Sequence, residues 1–281
     1  MALPQGIAFI GGGNMANALV QGLIATQTAR REQLLVSDIR AEGLASLRDR
    51  LGVRTTLDNR IACQSDIVVL SVKPQVFPSL LPALAPNLAP STLVISIAAG
   101  VPLHAIEAAL PQSRVVRAMP NTPALVSAGA TALAAGARAT SEDLALATKI
   151  FSSIGTVVHV SDEQMDAVTA LSGSGPAYVY LLAEALAAAG AQLGLAPDVA
   201  AKLAAQTIHG AGKLLCESHD APSELRRKVT SPGGTTAAGI AALEAHDFAG
   251  VIAACVKAAC DRGRELGKDA AASLDVAKAR S

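Results

Sequence analysis

A glycine-rich turn close to the start of the chain constrains the fold more than any other feature. The apolar segment Ile7–Ile10 is followed by Gly-Gly-Gly-Asn-Met-Ala at residues 11–16, and an apolar helical pattern covers residues 18–24. Gly11 permits a tight turn, and Gly13 lets backbone N–H groups approach an anion, which the N-terminus of the helix also favours. A G-x-G-x-x-A pattern between a strand and a helix therefore predicts a dinucleotide-binding loop. The cofactor-binding residues predicted for this loop are Ile10, Gly11, Gly12, Gly13, Asn14 and Met15.

Short apolar runs alternate with helical patterns as far as residue 160. The predicted strands are Ile7–Ile10, Leu34–Ser37, 67–71, 93–97, 115–118 and 156–159. Runs of about four to eight apolar residues separated by helices are typical of buried parallel strands, so we predict an α/β, Rossmann-type, doubly wound parallel sheet. After Glu163 only helical patterns follow, which predicts an all-α C-terminal domain. The predicted domains are residues 1–162 and 163–281.

The composition argues against several kinds of partner. Lys and Arg together number 23, as do Asp and Glu, so the chain lacks the basic excess of nucleic-acid-binding proteins. No apolar run reaches the roughly 18 residues of a membrane span, and the N-terminus has no basic segment typical of a signal peptide. The histidines and cysteines show no spacing typical of metal ligands. We therefore expect a soluble, cytoplasmic protein with no nucleic-acid partner, no membrane association and no metal.

The second predicted strand is followed by residues that discriminate between dinucleotides. It ends in Val-Ser-Asp-Ile-Arg at residues 36–40. An acidic residue in the position of Asp38 binds the adenine-ribose 2′-hydroxyl of NAD, whereas an arginine in the position of Arg40 can pair with the 2′-phosphate of NADP. Arg40 can equally be a solvated charge at a helix start. We therefore place both residues at the cofactor site and expect either NADPH or NADH.

Three further strands end in residues suited to the nicotinamide half of such a cofactor. Ligands of doubly wound sheets lie across the carboxyl ends of the strands. Small residues there leave room for the cofactor, prolines set the turns, and the Asn121 amide supplies hydrogen bonds, although Pro and Asn are also common at ordinary strand exits. The residues at these strand ends include Ser71, Val72, Lys73, Pro74, Ile97, Ala98, Ala99 and Asn121.

Two glycine-rich islands interrupt the helical half. Residues 172–176, Ser-Gly-Ser-Gly-Pro, precede a long helix and are explained largely by helix capping. Residues 229–236, Val-Thr-Ser-Pro-Gly-Gly-Thr-Thr, precede another helix and contain no acidic residue. Consecutive N–H groups in a Gly-Gly-Thr-Thr turn at a helix N-terminus form a concave anion site, to which two hydroxyls add donors. This loop suits a small carboxylate, although a hydroxylated N-cap would need only one of its Ser or Thr residues.

Five blocks of the sequence resemble one known family. Residues 229–244 resemble the hallmark segment of the pyrroline-5-carboxylate reductases, and residues 9–16, 72–75, 119–123 and 166–178 resemble that family's other blocks in the same order. The resemblance covers nearly the whole chain. It implies an NAD(P)H-binding Rossmann domain, an all-α domain that forms a homodimer or larger homo-oligomer, and the last step of proline synthesis. The implied substrate is 1-pyrroline-5-carboxylate.

The same resemblance implies roles for particular residues. It implies that Ser71–Pro74, Ile97–Ala99 and Asn59 contact the cofactor. Our mechanistic hypothesis makes Thr236 the expected catalytic residue, whose hydroxyl hydrogen-bonds the ring nitrogen of the imine. The N–H groups of Gly234 and Thr235, with Ser231, are expected to hold the carboxylate. The family generally prefers NADPH, although Asp38 favours NADH, and Lys228 stands where some members carry Asn. The expected substrate-binding residues are Met119, Glu163, Val229, Ser231, Gly233, Gly234, Thr235 and Thr236.

Two other classes of protein share parts of this pattern. β-Hydroxyacid dehydrogenases also have a Rossmann half followed by helices, but they resemble one another in a catalytic Lys within the first helix of the helical domain. Residues 177–184 contain no Lys. A non-catalytic NAD(P)-binding regulator would need no second anion loop, so residues 231–236 argue against that class.

Overall fold

One sheet organises the first part of the chain. The computed structural model describes Leu3 and residues 6–278, and within them eight strands form a single sheet in the order β3-β2-β1-β4-β5-β6-β7-β8. All neighbouring strands are parallel except β6 and β7. The order from β3 to β6 is that of a Rossmann sheet. The strands are β1 (Ile7–Ile10), β2 (Leu34–Ser37), β3 (Arg54–Thr56), β4 (Ile67–Leu70), β5 (Leu93–Ser96), β6 (Arg114–Met119), β7 (Gly129–Ala135) and β8 (Gly155–His159).

Alternate side chains of the strands enter two separate hydrophobic cores. Ile7 and Phe9 of β1 belong to one core, whereas Ala8 and Ile10 belong to the other. Each of these four residues is at most 2% exposed. Strands that are buried on both faces read as continuous apolar runs, which is why the sequence shows runs here rather than alternation.

Helices cover both faces of the sheet. Helices α1, α2 and α6 contribute to the core that contains Phe9, and α3, α4 and α5 contribute to the core that contains Ile10. This arrangement confirms the predicted doubly wound fold. The α-helices are α1 (Asn14–Ala25), α2 (Ala41–Leu51), α3 (Asn59–Ala62), α4 (Phe77–Leu84), α5 (Leu103–Ala109), α6 (Ser141–Phe151), α7 (Met165–Val168), α8 (Gly175–Gln192), α9 (Pro197–Glu217), α10 (Pro222–Lys228), α11 (Thr235–Ala245) and α12 (Phe248–Lys278).

The sequence patterns do not predict β3 and β7. β3 is only three residues long and lies at one edge of the sheet. β7 reads Gly-Ala-Thr-Ala-Leu-Ala-Ala, a composition that favours a helix. It is a strand because it pairs with β6 on one side and β8 on the other. The predicted parallel sheet thus carries one antiparallel pair, β6–β7.

The described chain divides into two compact units. The first runs as far as Gly173 and resumes at Ala259, and the second is Ser174–Ala258. α12 therefore begins in the second unit and ends in the first. The second unit is entirely helical, and Ala200 and Ala204 are its only buried residues. The predicted domain boundary at residue 162 stays a prediction.

Among the described residues, no single helix is long and apolar enough to cross a bilayer. The bent pair Thr235–Ala245 and Phe248–Val276, with an angle of 54°, satisfies length and composition only when its two members are taken together.

Candidate active site

Hydrogen bonds to the end of β2 and to the residue after β4 fix the turn that follows β1. The Gly11 N–H donates to the Ser37 carbonyl at the end of β2, over 2.7 Å. The Ser71 hydroxyl, just after β4, donates to the carbonyls of Ile10 and Gly11 at 3.1 and 2.5 Å. Gly11 has φ +102°, and a Cβ there would lie 2.6 Å from the Ser71 carbonyl oxygen. The turn therefore requires glycine at this position.

The start of α1 presents an open N-terminus. Its N-cap is Gly13, and neither a capping side chain nor an acidic residue occupies the first turn. A Cβ at Gly13 would meet no atom within 4 Å. The Asn17 amide, in the first turns of α1, donates hydrogen bonds to the carbonyls of Gly12 and Gly13, at 3.1 and 3.0 Å. These bonds hold the glycine loop against the helix. Sequence reasoning missed Asn17, whose only signal is an amide one turn into the helix. The free N–H groups of the first turn suit an anion.

A cavity of about 420 Å³ opens at the ends of β1, β2 and β4. The predicted cofactor residues in its wall are Ile10, Gly11, Gly13, Asp38, Arg40, Asn59, Ser71, Val72 and Lys73. Ser37, Ile39, Val76 and Leu80 complete the wall and were not predicted. Gly12, Asn14 and Met15 belong to the loop and the first turn of α1, outside this wall. The structure therefore brings together residues that are distant in the sequence, such as Gly11 and Ser71, which are 60 positions apart.

The Asp38 carboxylate is already engaged by groups of its own chain. It accepts hydrogen bonds from the N–H groups of Gly12 and Arg40, at 2.7 and 2.9 Å. The Arg40 guanidinium donates to both of its oxygens, from Nε at 3.1 Å and from Nη2 at 3.3 Å. Partial burial opposes ionisation, but the hydrogen bonds from Arg40 and Gly12 outweigh it, so the pKa of Asp38 lies below its ordinary value. The Asp38 side chain is 11% exposed and that of Arg40 is 67% exposed.

Two further residues shape the β2 side of the cavity. The Ser37 hydroxyl donates to Oδ1 of Asn59 at 2.6 Å, which orients the amide and leaves its nitrogen as a donor. Ile39, between Asp38 and Arg40, is 91% exposed. An isoleucine so exposed beside a cavity offers an apolar surface for a flat ring. Its only sequence signal is an apolar residue between two charged ones.

The residues predicted at the nicotinamide end lie near the ends of β4 and β5. Ala98 is 3% exposed, directly after β5 and Ile97. Pro74 and Ala99 line a second cavity of about 280 Å³ rather than the first. The other residues of its wall are Gln75, Pro78, Leu266, Asp269, Ala270 and Ser273.

The Asn121 amide links two segments of the first unit. Its nitrogen donates to the carbonyl and the hydroxyl of Ser172, both at 3.2 Å, and its oxygen accepts the Ala130 N–H at 2.9 Å. Ser172 lies in a π-helical turn, Thr169–Gly173, that precedes α8. Asn121 thus ties the end of β6 to the start of β7 and to this turn. Its predicted contact with the cofactor stays a prediction.

In the second unit, residues 231–236 form a tight turn ahead of α11. Gly233 has φ +72°, and the Gly234 N–H donates to the Ser231 carbonyl at 3.0 Å. A Cβ at Gly234 would lie 2.5 Å from the Ser231 hydroxyl oxygen. Gly234 is the N-cap of α11, which has no capping side chain and no acid in its first turn, and Thr235 and Thr236 are its first residues. The N–H groups of this helix start are thus available to an anion, beside the Ser231 hydroxyl.

The cation that precedes this turn is paired with a carboxylate. Lys228 Nζ lies 2.5 Å from Oδ2 of Asp220. This contact raises the pKa of Lys228 and lowers that of Asp220. Lys228 therefore already has an anionic partner eight positions away in the sequence.

The remaining predicted substrate residues are spread over both units. Met119 ends β6, and a Cβ at Gly173 would lie 2.5 Å from its methyl carbon. Glu163 accepts a hydrogen bond from the Ser161 hydroxyl at 3.4 Å. Val229, in the second unit, is 66% exposed. Within residues 6–278, no group of three or more His, Cys, Asp or Glu side chains is placed to hold a metal ion.

These features define a Rossmann-class protein that binds a dinucleotide. The glycine turn and the uncapped N-terminus of α1 suit the phosphates of such a cofactor, and the Arg40 guanidinium and the exposed Ile39 side chain line the same cavity. Residues 6–100 match the family model described as NADP oxidoreductase, coenzyme F420-dependent. Residues 162–266 match the model of pyrroline-5-carboxylate reductase dimerisation.

Comparison with whole proteins identifies the family. The chain is 46% identical over 269 residues to pyrroline-5-carboxylate reductase of Synechocystis, which covers 95% of this chain and 100% of the relative. A solved pyrroline-5-carboxylate reductase of Coxiella burnetii has a TM-score of 0.90 and 41% identity, over 94% of this chain and 99% of that one. The Plasmodium falciparum enzyme, solved with NADP bound, has a TM-score of 0.84 and 31% identity, over 95% and 100%. The chain belongs to the pyrroline-5-carboxylate reductase family and is an NAD(P)-dependent oxidoreductase.

Proposed function

We propose that this chain reduces 1-pyrroline-5-carboxylate to L-proline with NAD(P)H, the last step of proline biosynthesis. Membership of the family supports the reaction. The observation that carries it in this chain is the turn at residues 231–236, a second anion-binding loop in addition to the dinucleotide cavity. A protein that only binds the nucleotide has no need of that loop.

The first unit holds the coenzyme. The N–H groups at Gly13 and the start of α1 bind its pyrophosphate, and Arg40 and Asn59 bind its adenosine end. Ala98 and Ala99, which carry no atoms beyond Cβ, leave space for the ring at the end of β5. When bound, the reduced nicotinamide supplies a hydride to the imine carbon of the substrate.

The turn before α11 holds the substrate. The Gly234 N–H is engaged by the Ser231 carbonyl, so the carboxylate is bound by the free N–H groups at the start of α11, beginning with that of Thr235, together with the Ser231 hydroxyl. The Thr236 hydroxyl donates a hydrogen bond to the nitrogen of the neutral imine and relays to it the one proton that the product amine gains beside the hydride. Because an imine protonated in this way is a good electrophile, the hydride transfer then requires mainly orientation, with donor and acceptor carbons about 3–3.5 Å apart.

NADPH is the preferred coenzyme. Asp38 already receives four hydrogen bonds, from Gly12 and Arg40. A ribose 2′-hydroxyl would have to displace one of them. Arg40 uses Nε and Nη2 on Asp38, so Nη1 and the remaining N–H of Nη2 are free to bind a 2′-phosphate in the bidentate manner of a guanidinium. Asp38 thus orients the Arg40 side chain instead of accepting a hydrogen bond from the ribose 2′-hydroxyl.

The second unit forms a homodimer. Not one of the 18 residues of α8 is buried, although its sequence is rich in Leu and Ala. Leu181 and Leu182 are 65% and 45% exposed. Helices that leave this much apolar surface uncovered within one chain are stabilised by a second copy, and most such assemblies have twofold symmetry. The match to a dimerisation model over residues 162–266 supports this assignment.

A direct spectrophotometric assay tests the proposed reaction. The purified chain is mixed with NADPH, and 1-pyrroline-5-carboxylate is then added while the near-ultraviolet absorbance of NADPH is followed. We expect oxidation of NADPH with an equal amount of L-proline formed, the latter identified by chromatography. Binding of NADPH without oxidation when the imine is added would instead indicate a regulator. The cytoplasmic location predicted from the sequence stays a prediction.

A further inference from the structure

The last part of α12 packs on the sheet of the first unit. The family model ends at residue 266, whereas α12 continues to Lys278. Leu274 is 5% exposed and belongs to the same core as Ile10 and Val101, and Ala270 and Ala271 pack against that core. The burial of Leu274 makes this part of α12 a component of the core of the first unit.

This part of α12 touches the loop after β5 through two glycines. A Cβ at Gly267 would lie 3.3 Å from the Gly100 carbonyl oxygen, closer than ordinary contact. Gly100 itself has φ +73°, and a Cβ there would lie 3.5 Å from Cβ of Leu266. The two backbones therefore meet directly, with no side chain between them.

The loop in question carries residues predicted to face the nicotinamide. Ala98 and Ala99 immediately precede Gly100. On its other side the loop enters α5, where the Leu103 N–H donates to the Asp162 carboxylate at 3.0 Å. Asp162 also pairs with the 4%-exposed Arg117 side chain at 2.7 Å. The loop is thus anchored at its α5 end and rests on α12 at its middle.

The same part of α12 also reaches the exit of β4. Pro74 and Ala99 share the 280 Å³ cavity with Leu266 and Ala270 of α12. Pro74 follows Lys73, which lines the dinucleotide cavity. One helix segment therefore supports two loops that carry the predicted nicotinamide-side residues.

We propose that residues 266–274 of α12 act as a brace that positions the β4 and β5 exit loops for the nicotinamide half of the coenzyme. Gly267 is the positioning residue at its closest contact. This inference rests on the proposed coenzyme site. If the brace positions the β5 loop, a side chain added at position 267 should displace that loop. The contacts to the pyrophosphate and adenosine should stay intact, because they lie at the ends of β1 and β2.

Ligand binding in the absence of substrate tests the brace. In Gly267→Val we expect the Kd for NADPH, followed by its fluorescence, to rise about tenfold, because an overpacked contact shifts the backbone it meets. The Kd for 2′-phospho-ADP-ribose, which lacks nicotinamide, should stay within about twofold by calorimetry. Gly267→Ala should give a smaller change in the same direction. Gly263→Ala, one turn earlier, is the matched control, because its Cβ would meet only the Asp166 side chain at 3.5 Å.

Two outcomes would overturn the brace. One is an unchanged Kd for NADPH in a folded Gly267→Val variant. The other is an equal loss of affinity for both ligands together with a lower Tm, which would indicate a merely structural contact. If the Val variant does not fold, Leu274→Ala replaces it, with Val276→Ala, at a 52% exposed position, as its control. Because these measurements use no imine, a failure of the proposed reaction would be distinguishable from a failure of the brace.

Discussion

The Asp38 carboxylate at the end of β2 accepts a hydrogen bond of 2.7 Å from the backbone N–H of Gly12 in the phosphate-binding turn. An acidic residue expected to bind the ribose thus stabilises the loop that we propose binds the pyrophosphate. The same carboxylate holds the Arg40 side chain. Both of the proposed anion-binding elements therefore depend on one side chain.

Asp38→Ala should weaken binding of both coenzymes and lower stability at neutral pH. The pKa of Asp38 is depressed in the folded state, so its contribution to stability is present above the ordinary value of 3.8 and is lost as pH falls through the folded pKa. The variant should therefore show a shallower loss of stability in acid, measured by urea unfolding at several pH values. Asp49→Ala, at an exposed ion pair on α2, is the control and should retain the wild-type pH profile. An Asp38→Ala profile identical to wild type would contradict the role of this carboxylate.

Arg40→Gln should discriminate between the two coenzymes. Loss of a charge-assisted contact to the 2′-phosphate lowers kcat/KM with NADPH by about ten- to a hundredfold, while kcat/KM with NADH stays within about twofold. Steady-state rates with each coenzyme at saturating imine provide the measurement. Arg48→Gln, whose guanidinium is paired with Asp49 on the surface of α2, is the matched control. Equal loss with both coenzymes would mean that Arg40 does not read the 2′-phosphate.

Cys63 should make stability fall at alkaline pH. Burial, with the negative charge of Asp58, raises the pKa of its thiol from 9.0 to about 11. The folded state then keeps a proton that the unfolded chain releases, so the free energy of unfolding is unaffected below pH 9.0 and decreases as pH rises to about 11. Cys63→Ala should flatten this decrease, whereas Cys216→Ala, at an exposed thiol, should not. The measurement is the free energy of chemical unfolding at several pH values across this range. Equal pH dependence of that free energy in wild type and Cys63→Ala would contradict the prediction.

Leu181→Glu should dissociate the proposed dimer. Placing a charge on the exposed apolar surface of α8 opposes burial against a second copy. Light scattering after size exclusion should give about the mass of one chain, 28.3 kDa, for the variant and a multiple of it for wild type. Val158→Glu, at a 52% exposed position on β8, should retain the wild-type mass. Wild-type protein with the mass of a single chain would remove the basis for a dimer.

The sequence predicts those parts of the molecule whose residues act locally. The strands β1, β2, β4, β5 and β6 can be predicted because burial on both faces requires a run of apolar residues. The glycine turn can be predicted because its backbone conformation requires glycine. β7 cannot be predicted because its Ala-rich segment is a strand only through its pairing with β6 and β8. The same holds for the engagement of Asp38, since the partner of a carboxylate depends on which loop the fold brings beside it. The packing of α12 beyond Leu266 likewise depends on a distant glycine.

The role of Thr236 is the most direct test of the proposed reaction. Thr236→Val replaces the hydroxyl with a methyl group at the first turn of α11, and kcat/KM for 1-pyrroline-5-carboxylate should fall by roughly a hundred- to ten-thousandfold, the range of a positioned proton donor. Thr236→Ser keeps the hydroxyl and should remain within about fivefold of wild type. If Thr236→Val forms L-proline with wild-type kcat/KM, the turn before α11 does not act on the imine nitrogen, and the proposed mechanism is wrong.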